Sequence, residues 1–365
     1  MKRQIETTLD ALNSNDALKT KQITVGFDGC ADSIYKAVKK RSAERIEYFS
    51  TIAEFGEYIS EKNGISCSIE LEEVMRKPGG NCAIFADAIS TLGTKTSAVG
   101  LFGKRQINNE FHKLAESCEL FSFGENQFAL ALEFSNGKVM LAPGVKLGSD
   151  AWSSIRTSVG EDNLNRVFLE ADMLALLNWS ELEFSTQVWN SLYELLKSAP
   201  CKAKQIIIDL SDCSRNTKEE IDEMLVILDG FRKIRTVILS LNDNEAFELE
   251  KYFRLSLKDT RSIGEALSEK IGVQILVIHS AKACYTFENG EAFITPTQFN
   301  TEPKLLTGGG DNFNAGYTMG RLLGLDSFGC NILGNSVSSF YIYHGKSPTL
   351  PQLKEHIKIW HKSLI

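Results

Sequence analysis

The sequence predicts an α/β fold of three layers, α/β/α, in which a mostly parallel central sheet lies between two layers of helices. Apolar runs of strand length recur along the chain, at residues 22–27, 96–101, 173–177, 205–208, 236–239 and 274–278. Longer segments with a helical spacing of apolar residues lie between them, such as 184–197 and 218–228. Continuous apolar strands indicate burial on both faces, and strands that alternate with helices indicate parallel pairing.

Two regions interrupt this alternation and predict a small β-sheet lid. Residues 33–38 and 68–74 partly alternate polar with apolar side chains, which is typical of half-buried strands. Residues 128–134 and 138–141 flank Ser135-Asn136-Gly137, a strong hairpin signal. We expect the lid strands to come from about 33–75 and 128–145, within one domain of residues 22–365. Residues 1–21 are expected to form an N-terminal extension that contains a helix.

Composition argues against several classes of function. The chain has 365 residues with a net charge of −7, whereas nucleic-acid binding usually requires a basic surface. No apolar run reaches the roughly 18 residues of a membrane-spanning helix, and the segment after Met1 lacks the apolar stretch of a signal peptide. The eight cysteines form no C-x-x-C pair, which favours free thiols over disulfides or a zinc site. We therefore expect a cytoplasmic protein with no nucleic-acid or membrane partner.

A glycine-rich stretch, Thr307-Gly308-Gly309-Gly310-Asp311, precedes a segment with a helical spacing of apolar residues. Glycines allow backbone N–H groups to converge, and a helix N-terminus adds partial positive charge, so such a loop can hold an anion. An aspartate there can accept the proton of a hydroxyl while the amides neutralise a transferring phosphoryl group. On spacing alone, a glycine-rich turn in which the aspartate caps the helix explains the pattern equally well.

A second glycine pair, Gly79-Gly80, is followed by Asn81 and by a helical segment that ends at Leu92-Gly93. The glycines permit close approach of a polyol to the backbone, and the asparagine offers both a donor and an acceptor. By itself this stretch is explained equally well by the packing of a helix on a sheet.

Taken together, the two stretches resemble the signatures of the ribokinase-like (phosphofructokinase-B-type) carbohydrate kinases. Residues 305–316 are similar to the carboxy-terminal signature D-T-x-G-A-G-D-x-F-x-x-G, and residues 79–93 to the amino-terminal signature G-G-x-x-x-N-x-A…L-G. Asn242-Asp243-Asn244-Glu245 resembles the N-x-x-E element of that family, and Gly26 to Asp32 lies where the family places a substrate-binding aspartate. The resemblance implies a ribokinase-like fold with a β lid, and ATP and Mg²⁺ as cofactors.

The resemblance also implies a role for each matching residue. Asp311 is expected to be the catalytic base, and Gly308, Gly309 and Gly310 the anion hole. Asn242, Glu245 and Thr307 are expected at the nucleotide phosphates, with Glu245 binding the magnesium through water. The expected substrate-binding residues are Asp32, Gly79, Gly80 and Asn81. The alternatives from the residues alone are a solvated carboxylate at a helix start for Glu245 and a turn residue for Asp32.

Three departures from the family pattern bear on function. Leu305 stands where the family often has an aspartate of a monovalent-cation site, and Ile84 where an asparagine usually contacts sugar. Residues 279–284 replace a T-x-G-x-x-G segment near the nucleotide phosphates. We predict ATP-dependent phosphorylation of a hydroxyl on a sugar or sugar-like alcohol. The alternatives are a nucleoside kinase and a sugar-responsive binding protein with weak or no turnover. A homodimer formed through the lid is a further expectation.

Overall fold

A computed structural model describes residues 1–13, 17–141, 150–298 and 303–364. Its strands are β1 (Gln22–Gly26), β2 (Cys30–Arg41), β3 (Ile46–Tyr48), β4 (Leu71–Gly79), β5 (Lys95–Gly100), β6 (Glu119–Ser122), β7 (Gln127–Phe134), β8 (Gly137–Leu141), β9 (Met173–Leu176), β10 (Gln205–Asp209), β11 (Thr236–Asn242), β12 (Ile275–His279), β13 (Ala283–Glu288) and β14 (Glu291–Pro296). Its α-helices are α1 (Lys2–Asn13), α2 (Ile52–Glu61), α3 (Asn81–Thr91), α4 (His112–Ala115), α5 (Ala151–Val159), α6 (Glu161–Leu164), α7 (Ser185–Ser198), α8 (Lys218–Ile234), α9 (Asp243–Phe253), α10 (Thr260–Ile271), α11 (Gly309–Leu322), α12 (Ser327–His344) and α13 (Leu350–Ser363).

The central sheet is mostly parallel, as predicted. Within the described residues its strand order is β14-β13-β12-β11-β10-β9-β1-β5-β6. Neighbours from β12 to β6 pair in parallel, whereas β13 and β14 add an antiparallel edge next to β12. All six apolar runs that predict buried strands form strands of this sheet, because each is short, apolar and bounded by turn residues.

Helices cover both faces of the sheet, which gives the predicted three layers. Alternate residues of one strand enter different buried clusters, since successive side chains of a strand point to opposite faces. Ile206 and Ile208 pack with α7, α8 and α10 on one face, whereas Ile207 packs with α3, α11 and α12 on the other. The apolar core is therefore continuous above and below the central strands.

A smaller sheet, in the order β3-β2-β7-β8 with β4 also paired to β2, forms the lid. The hairpin predicted at Ser135-Asn136-Gly137 is present, with Phe134 opposite Gly137. Two boundaries differ from the prediction. The strand β4 begins at Leu71 rather than near residue 68, and β2 begins at Cys30, so that Asp32 lies inside a lid strand instead of at the end of β1. The predicted lid residues 142–145 lie outside the described residues.

The first helix packs on the main body of the protein. Ile5 and Leu12 of α1, together with Leu18, are buried in the same cluster as Leu353 and Ile357 of α13. A helical segment before residue 22 is therefore present as expected, and its apolar face completes one layer of the sandwich. Over the described residues, no helix combines the length and the apolar character that a membrane crossing requires.

Candidate active site

Several polar side chains gather where the parallel strands end. They follow β1, β9, β10 and β11, and they face the first turns of α3 and α11. Ligands of open parallel sheets bind at the carboxyl ends of the strands, because the loops there leave a crevice and the neighbouring helices begin there. This edge of the sheet is therefore the candidate active site.

Asp311 lies in the first turn of α11 and is only 8% exposed. Gly308, not Asp311, occupies the N-cap position of this helix, and its φ of 92° is one that glycine adopts without strain. The structure therefore does not support the alternative in which Asp311 caps the helix. Burial raises the pKa of the Asp311 carboxyl well above its usual value, and the nearby carboxylates of Asp209, Asp28 and Glu245 raise it further.

Side chains hold the loop before α11 in place by donating hydrogen bonds to its carbonyl groups. The Tyr341 hydroxyl donates to the carbonyl of Thr307 (2.9 Å), and the Ser338 hydroxyl donates to that of Gly309 (2.8 Å). The Asn312 amide donates to the carbonyl of Gly308 (2.9 Å). The Gly309 N–H donates to the carbonyl of Leu306 (3.1 Å), so of the three predicted anion-hole residues Gly308 and Gly310 are the ones whose N–H groups the described loop can offer to an anion.

Asp32 is nearly buried in the lid strand β2, and Gly79 of the paired strand β4 makes room for its carboxylate. A Cβ atom on Gly79 would lie 2.4 Å from Cγ of Asp32. Gly80 makes room in the same way for Asp28, whose Oδ2 would lie 2.5 Å from an added Cβ. Each glycine thus accommodates a carboxylate of the protein itself, in addition to any polyol that the sequence suggested.

Asp28 is the residue that the sequence argument missed, although it lies in the stretch from Gly26 to Asp32. It is fully buried and accepts hydrogen bonds from the backbone N–H groups of Asn81 (2.8 Å) and Cys82 (2.7 Å), and from the side chain of Asn178 (2.9 Å). Burial raises the pKa of Asp28 to about 6, against the lowering effect of these donors. Asp28 therefore fixes the start of α3, and an aspartate two residues past a buried strand was the available signal.

Asn81 lies at the first position of α3, and its side-chain amide donates to the Ser211 hydroxyl (2.9 Å). Ser211 is in turn bound to Asp209, which accepts from the Ser211 N–H (2.9 Å) and from the Asn314 side chain (2.7 Å). The Ser240 hydroxyl donates to Asn314 (2.6 Å). This network joins β10, β11 and α11 to α3, and Asn314 was not predicted to take part.

Asn242 and Glu245 form a capping box at the start of α9. The Asn242 side chain accepts from the Glu245 N–H (2.9 Å), and the Glu245 carboxylate accepts from the Asn242 backbone (2.9 Å) and side chain (2.6 Å). The alternative of a solvated carboxylate is wrong, because Glu245 is only 8% exposed. Burial and the neighbouring Asp209 raise the pKa of Glu245 well above its usual value. Such a carboxylate favours a nearby cation.

Thr307 faces the lid, where its hydroxyl accepts a hydrogen bond from the ammonium of Lys138. Lys77, on β4, points to the same region, and its ammonium is buried without a hydrogen-bond partner in the described residues. Asp32, Lys77, Lys138 and Thr307 border one small cavity. The lid therefore brings two cations over the loop that leads into α11.

His279 lies on the other side of the glycine loop, at the end of β12. Its ring stacks on Phe313 of α11, with 4.6 Å between the ring centroids, and an added Cβ on Gly310 would lie 3.4 Å from it. Burial lowers the pKa of His279 to about 4. With Ser280, Gln298 and Asn335 it borders a cavity of about 110 Å³. The segment that departs from the family pattern therefore adjoins the glycine loop.

In the described residues, no group of three or more His, Cys, Asp or Glu side chains is placed to hold a metal ion by itself. The structure brings Asp311, Gly308, Gly309 and Gly310 together with Asp32, Gly79 and Gly80 around the lid and the starts of α3 and α11. Asn242 and Glu245 lie at the next strand end along the sheet. The arrangement combines a buried carboxylate, an anion-binding helix start and polar groups suited to hydroxyls.

Comparisons with known proteins show which family this chain belongs to. A model of the prokaryotic ketohexokinase family matches residues 5–360. The chain is similar to a ketohexokinase from Haloferax volcanii, with 24% identity over 358 residues that cover 96% of this chain and 95% of that protein.

Solved structures at 13–16% identity show the fold. An E. coli protein with the provisional name ribokinase II, solved with ATP and Mg²⁺, has a TM-score of 0.64 at 13% identity and covers 93% of this chain and 99% of its own. The ribokinase of Thermotoga maritima has a TM-score of 0.60 at 16% identity, with coverage of 93% and 99%. An adenosine kinase from Sinorhizobium meliloti has a TM-score of 0.63 at 15% identity, with the same coverage. The predicted ribokinase-like fold is confirmed. Because the family model matches residues 5–360, the chain belongs to the prokaryotic ketohexokinase family and is a carbohydrate kinase.

Proposed function

We propose that this kinase transfers the γ-phosphoryl group of ATP to a hydroxyl of a ketohexose, with Asp311 as the general base. The observation that carries the proposal is the buried Asp311 in the first turn of α11, directly behind the loop of three glycines. The match to the ketohexokinase family over residues 5–360 supports the substrate class. The nucleoside-kinase alternative is less favoured, since the curated relative is also a ketohexokinase.

The environment of Asp311 suits a base. A general base works best when its pKa lies close to the working pH, and burial beside three other carboxylates moves the pKa of Asp311 in that direction. The substrate hydroxyl would donate to this carboxylate and lose its proton to it as its oxygen bonds to the γ-phosphorus, while the bond from that phosphorus to the bridging oxygen breaks and ADP leaves. The N–H groups of Gly308 and Gly310 would then stabilise negative charge on the transferring group, whereas that of Gly309 donates to the Leu306 carbonyl and holds the turn between them.

The residues present fit ATP and Mg²⁺. When bound, ATP supplies the phosphoryl group and Mg²⁺ neutralises the charge of its phosphates. Glu245 is a buried carboxylate whose two oxygens each accept one hydrogen bond and so retain a further acceptor position. We propose that Glu245 accepts from water on the magnesium. Asn242 and Thr307 would lie near the phosphates.

On the substrate side, we propose that Asp32 and Asn81 bind hydroxyls of the sugar. Asp32 is a carboxylate held at the lid by the space over Gly79, and Asn81 is fixed at the start of α3. Hydroxyls both donate and accept, so a carboxylate and an amide on opposite sides of the sugar can bind several of them. Gly79 and Gly80 would keep the backbone close to the sugar on this side.

The test measures ADP release by the purified protein with a panel of ketohexoses, aldohexoses, pentoses and nucleosides. We expect kcat/KM to be highest for a ketohexose, with Mg²⁺ required. A preference for a nucleoside would overturn the proposal. Thermal shift on the same panel separates a kinase from a binding protein, since a ligand at 100 times its Kd stabilises by about 2.7 kcal/mol with or without turnover. Stabilisation by a sugar with no ADP release would favour the binding protein.

We also propose that the enzyme forms a homodimer through the lid and works in the cytoplasm. The lid carries several exposed apolar side chains, namely Val74, Met75, Phe128, Met140 and Leu141. Met75 and Met140 lie on the same face, in register through Ile34 and Ala131, and exposed apolar side chains on one face of a sheet favour association. Light scattering on the wild type and on a Met75→Lys, Met140→Lys variant tests the interface. A variant with the same mass in solution as the wild type would exclude it.

A further inference from the structure

Lys77 is an unusual residue in this protein, because its ammonium is buried and has no hydrogen-bond partner in the described residues. A buried polar group without a partner is costly, and a charged one more so. Burial accordingly lowers the pKa of Lys77, although Asp32, Asp311 and Glu133 lie near enough to oppose the shift.

The strand register explains why Asp32 forms no hydrogen bond with Lys77 in the described residues. The two residues face each other across β2 and β4, and residues 77 and 79 of β4 share one face. Since Gly79 has no side chain, the Asp32 carboxylate occupies the space over it, where an added Cβ would lie 2.4–2.6 Å from the carboxylate atoms. The Cys30 thiol donates to the same carboxylate at 3.4 Å. The carboxylate is thus displaced along the strand from Lys77.

The charges around Lys77 favour a neutral ligand. A cavity of about 40 Å³ is bordered by Asp32 and Glu133 as well as by Lys77 and Lys138. Lys138 donates to Thr307 and retains further N–H groups, whereas Lys77 makes no hydrogen bond within the described residues. At roughly 10–15 Å³ for each water-sized group, the cavity has room for about three such groups. Two cations and two carboxylates suit hydroxyls, which accept from the former and donate to the latter.

We propose that Lys77 is a substrate-binding residue that selects the sugar by donating a hydrogen bond to one of its hydroxyls, while Asp32 accepts from the same or the adjacent hydroxyl. This inference rests on the proposed function and adds a specificity-determining residue to it. A sugar that lacks the hydroxyl leaves the ammonium buried and unpaired, so the enzyme discriminates against it. The lid therefore takes part in choosing the substrate as well as in covering it.

The experiment compares Lys77→Met, which keeps the length of the lysine stem without its charge, with Lys77→Arg and with Lys36→Met. Lys36 lies on the lid strand β2 with its side chain exposed and serves as the matched control. Using the wild type's preferred sugar, we expect Lys77→Met to lower kcat/KM about 10- to 100-fold, the range for losing a hydrogen bond from a charged group. This loss should appear mainly in the KM for sugar, with the KM for ATP unchanged. Lys36→Met should match the wild type, and Lys77→Arg should retain part of the activity.

Deoxy analogues of the preferred sugar, each lacking one hydroxyl, identify the contact. With one of them, Lys77→Met and the wild type should be equally active, because the hydroxyl that Lys77 binds is already absent. If, in every analogue, Lys77→Met lowers activity by the same factor as with the complete sugar, the proposal is overturned. An unchanged KM for sugar in Lys77→Met would also overturn it. A purely structural lysine would instead lower the melting temperature when removed, whereas we expect Lys77→Met without sugar to melt no lower than the wild type. If the wild type prefers a sugar outside the ketohexoses, the proposed substrate class is wrong but the proposal for Lys77 is not affected. The analogue series is built on whichever sugar the wild type prefers.

Discussion

Replacing Gly79 by alanine displaces the Asp32 carboxylate without substituting Asp32 itself. The variant therefore tests whether Asp32 binds the substrate. The φ of Gly79 lies outside the left-handed region, so the backbone accepts alanine. The new methyl group, however, would lie 2.4 Å from Cγ of Asp32. Carbon atoms in contact are separated by about 3.5–4.0 Å, so the carboxylate must move by roughly 1 Å. A hydrogen bond that depends on the present position of the carboxylate would be lost.

The size of the effect follows from that hydrogen bond. Hydrogen bonds to charged groups contribute about 1.5–3 kcal/mol, and each 1.4 kcal/mol corresponds to a factor of about ten. We therefore expect Gly79→Ala to raise the KM for sugar about 10- to 100-fold. The KM for ATP should stay within about twofold, because the displaced group is on the substrate side.

Steady-state ADP release at varied sugar and varied ATP is the assay. Gly56→Ala, in the lid helix α2, is the matched control, because an added Cβ there meets no atom within 4 Å. In an Asp32→Ala background, Gly79→Ala should cost much less than in the wild type, since the carboxylate that the methyl group displaces has been removed. An unchanged KM for sugar in Gly79→Ala, or equal rises in both KM values, would refute the assignment of Asp32 to the sugar.

Four further predictions concern the carboxylates. Asp311→Asn should lower kcat about 10²- to 10⁴-fold with an unchanged melting temperature, and retention of a tenth of the activity would be too much for a general base. The pKa of Asp311 is raised and a base acts in its deprotonated form, so kcat/KM should fall as the pH drops through that raised pKa. A pH profile that stays flat down to about pH 4, the ordinary range for aspartate, would contradict the role of Asp311. Glu245→Gln keeps a capping side chain and should raise the Mg²⁺ concentration for half-maximal activity about 10- to 100-fold, whereas an unchanged requirement would leave Glu245 as a cap alone. Asp28→Ala leaves buried N–H groups of α3 unpaired and should lower the free energy of unfolding in urea by about 1–3 kcal/mol. An unchanged free energy of unfolding would show that Asp28 does not stabilise the start of α3.

Much of the fold could be predicted because its signals are local. Strands β1, β5, β9, β10, β11 and β12 are short apolar runs, and the β7–β8 hairpin is set by its turn residues. The same is true of the loop that leads to Asp311, where three successive glycines are visible without any tertiary contact. Edge strands were harder, since β13 and β14 are less continuously buried and lack the apolar runs of the central strands.

The candidate site was predicted less completely, because its contacts join distant parts of the chain. Asn314 binds Asp209 across 105 residues, and Asn178 binds Asp28 across 150. No local pattern marks such a pair as neighbours. Lys77 stood directly before Pro78 and Gly79 in the sequence, yet only the pairing of β4 with β2 places it opposite Asp32.

The sequence by itself determined the α/β class, the strands of the central sheet and the aspartate behind the glycine loop. Each of these depends on the spacing of apolar residues or glycines over a few neighbouring positions. Only the tertiary structure distinguished Asp28 from Asp32, which lie four residues apart in the sequence. Asp28 is buried under the first turn of α3, whereas Asp32 enters the lid and faces Lys77. Their surroundings differ because Gly79 and Gly80 each leave space for one carboxylate, and that space exists only once β2, β4 and α3 have packed together.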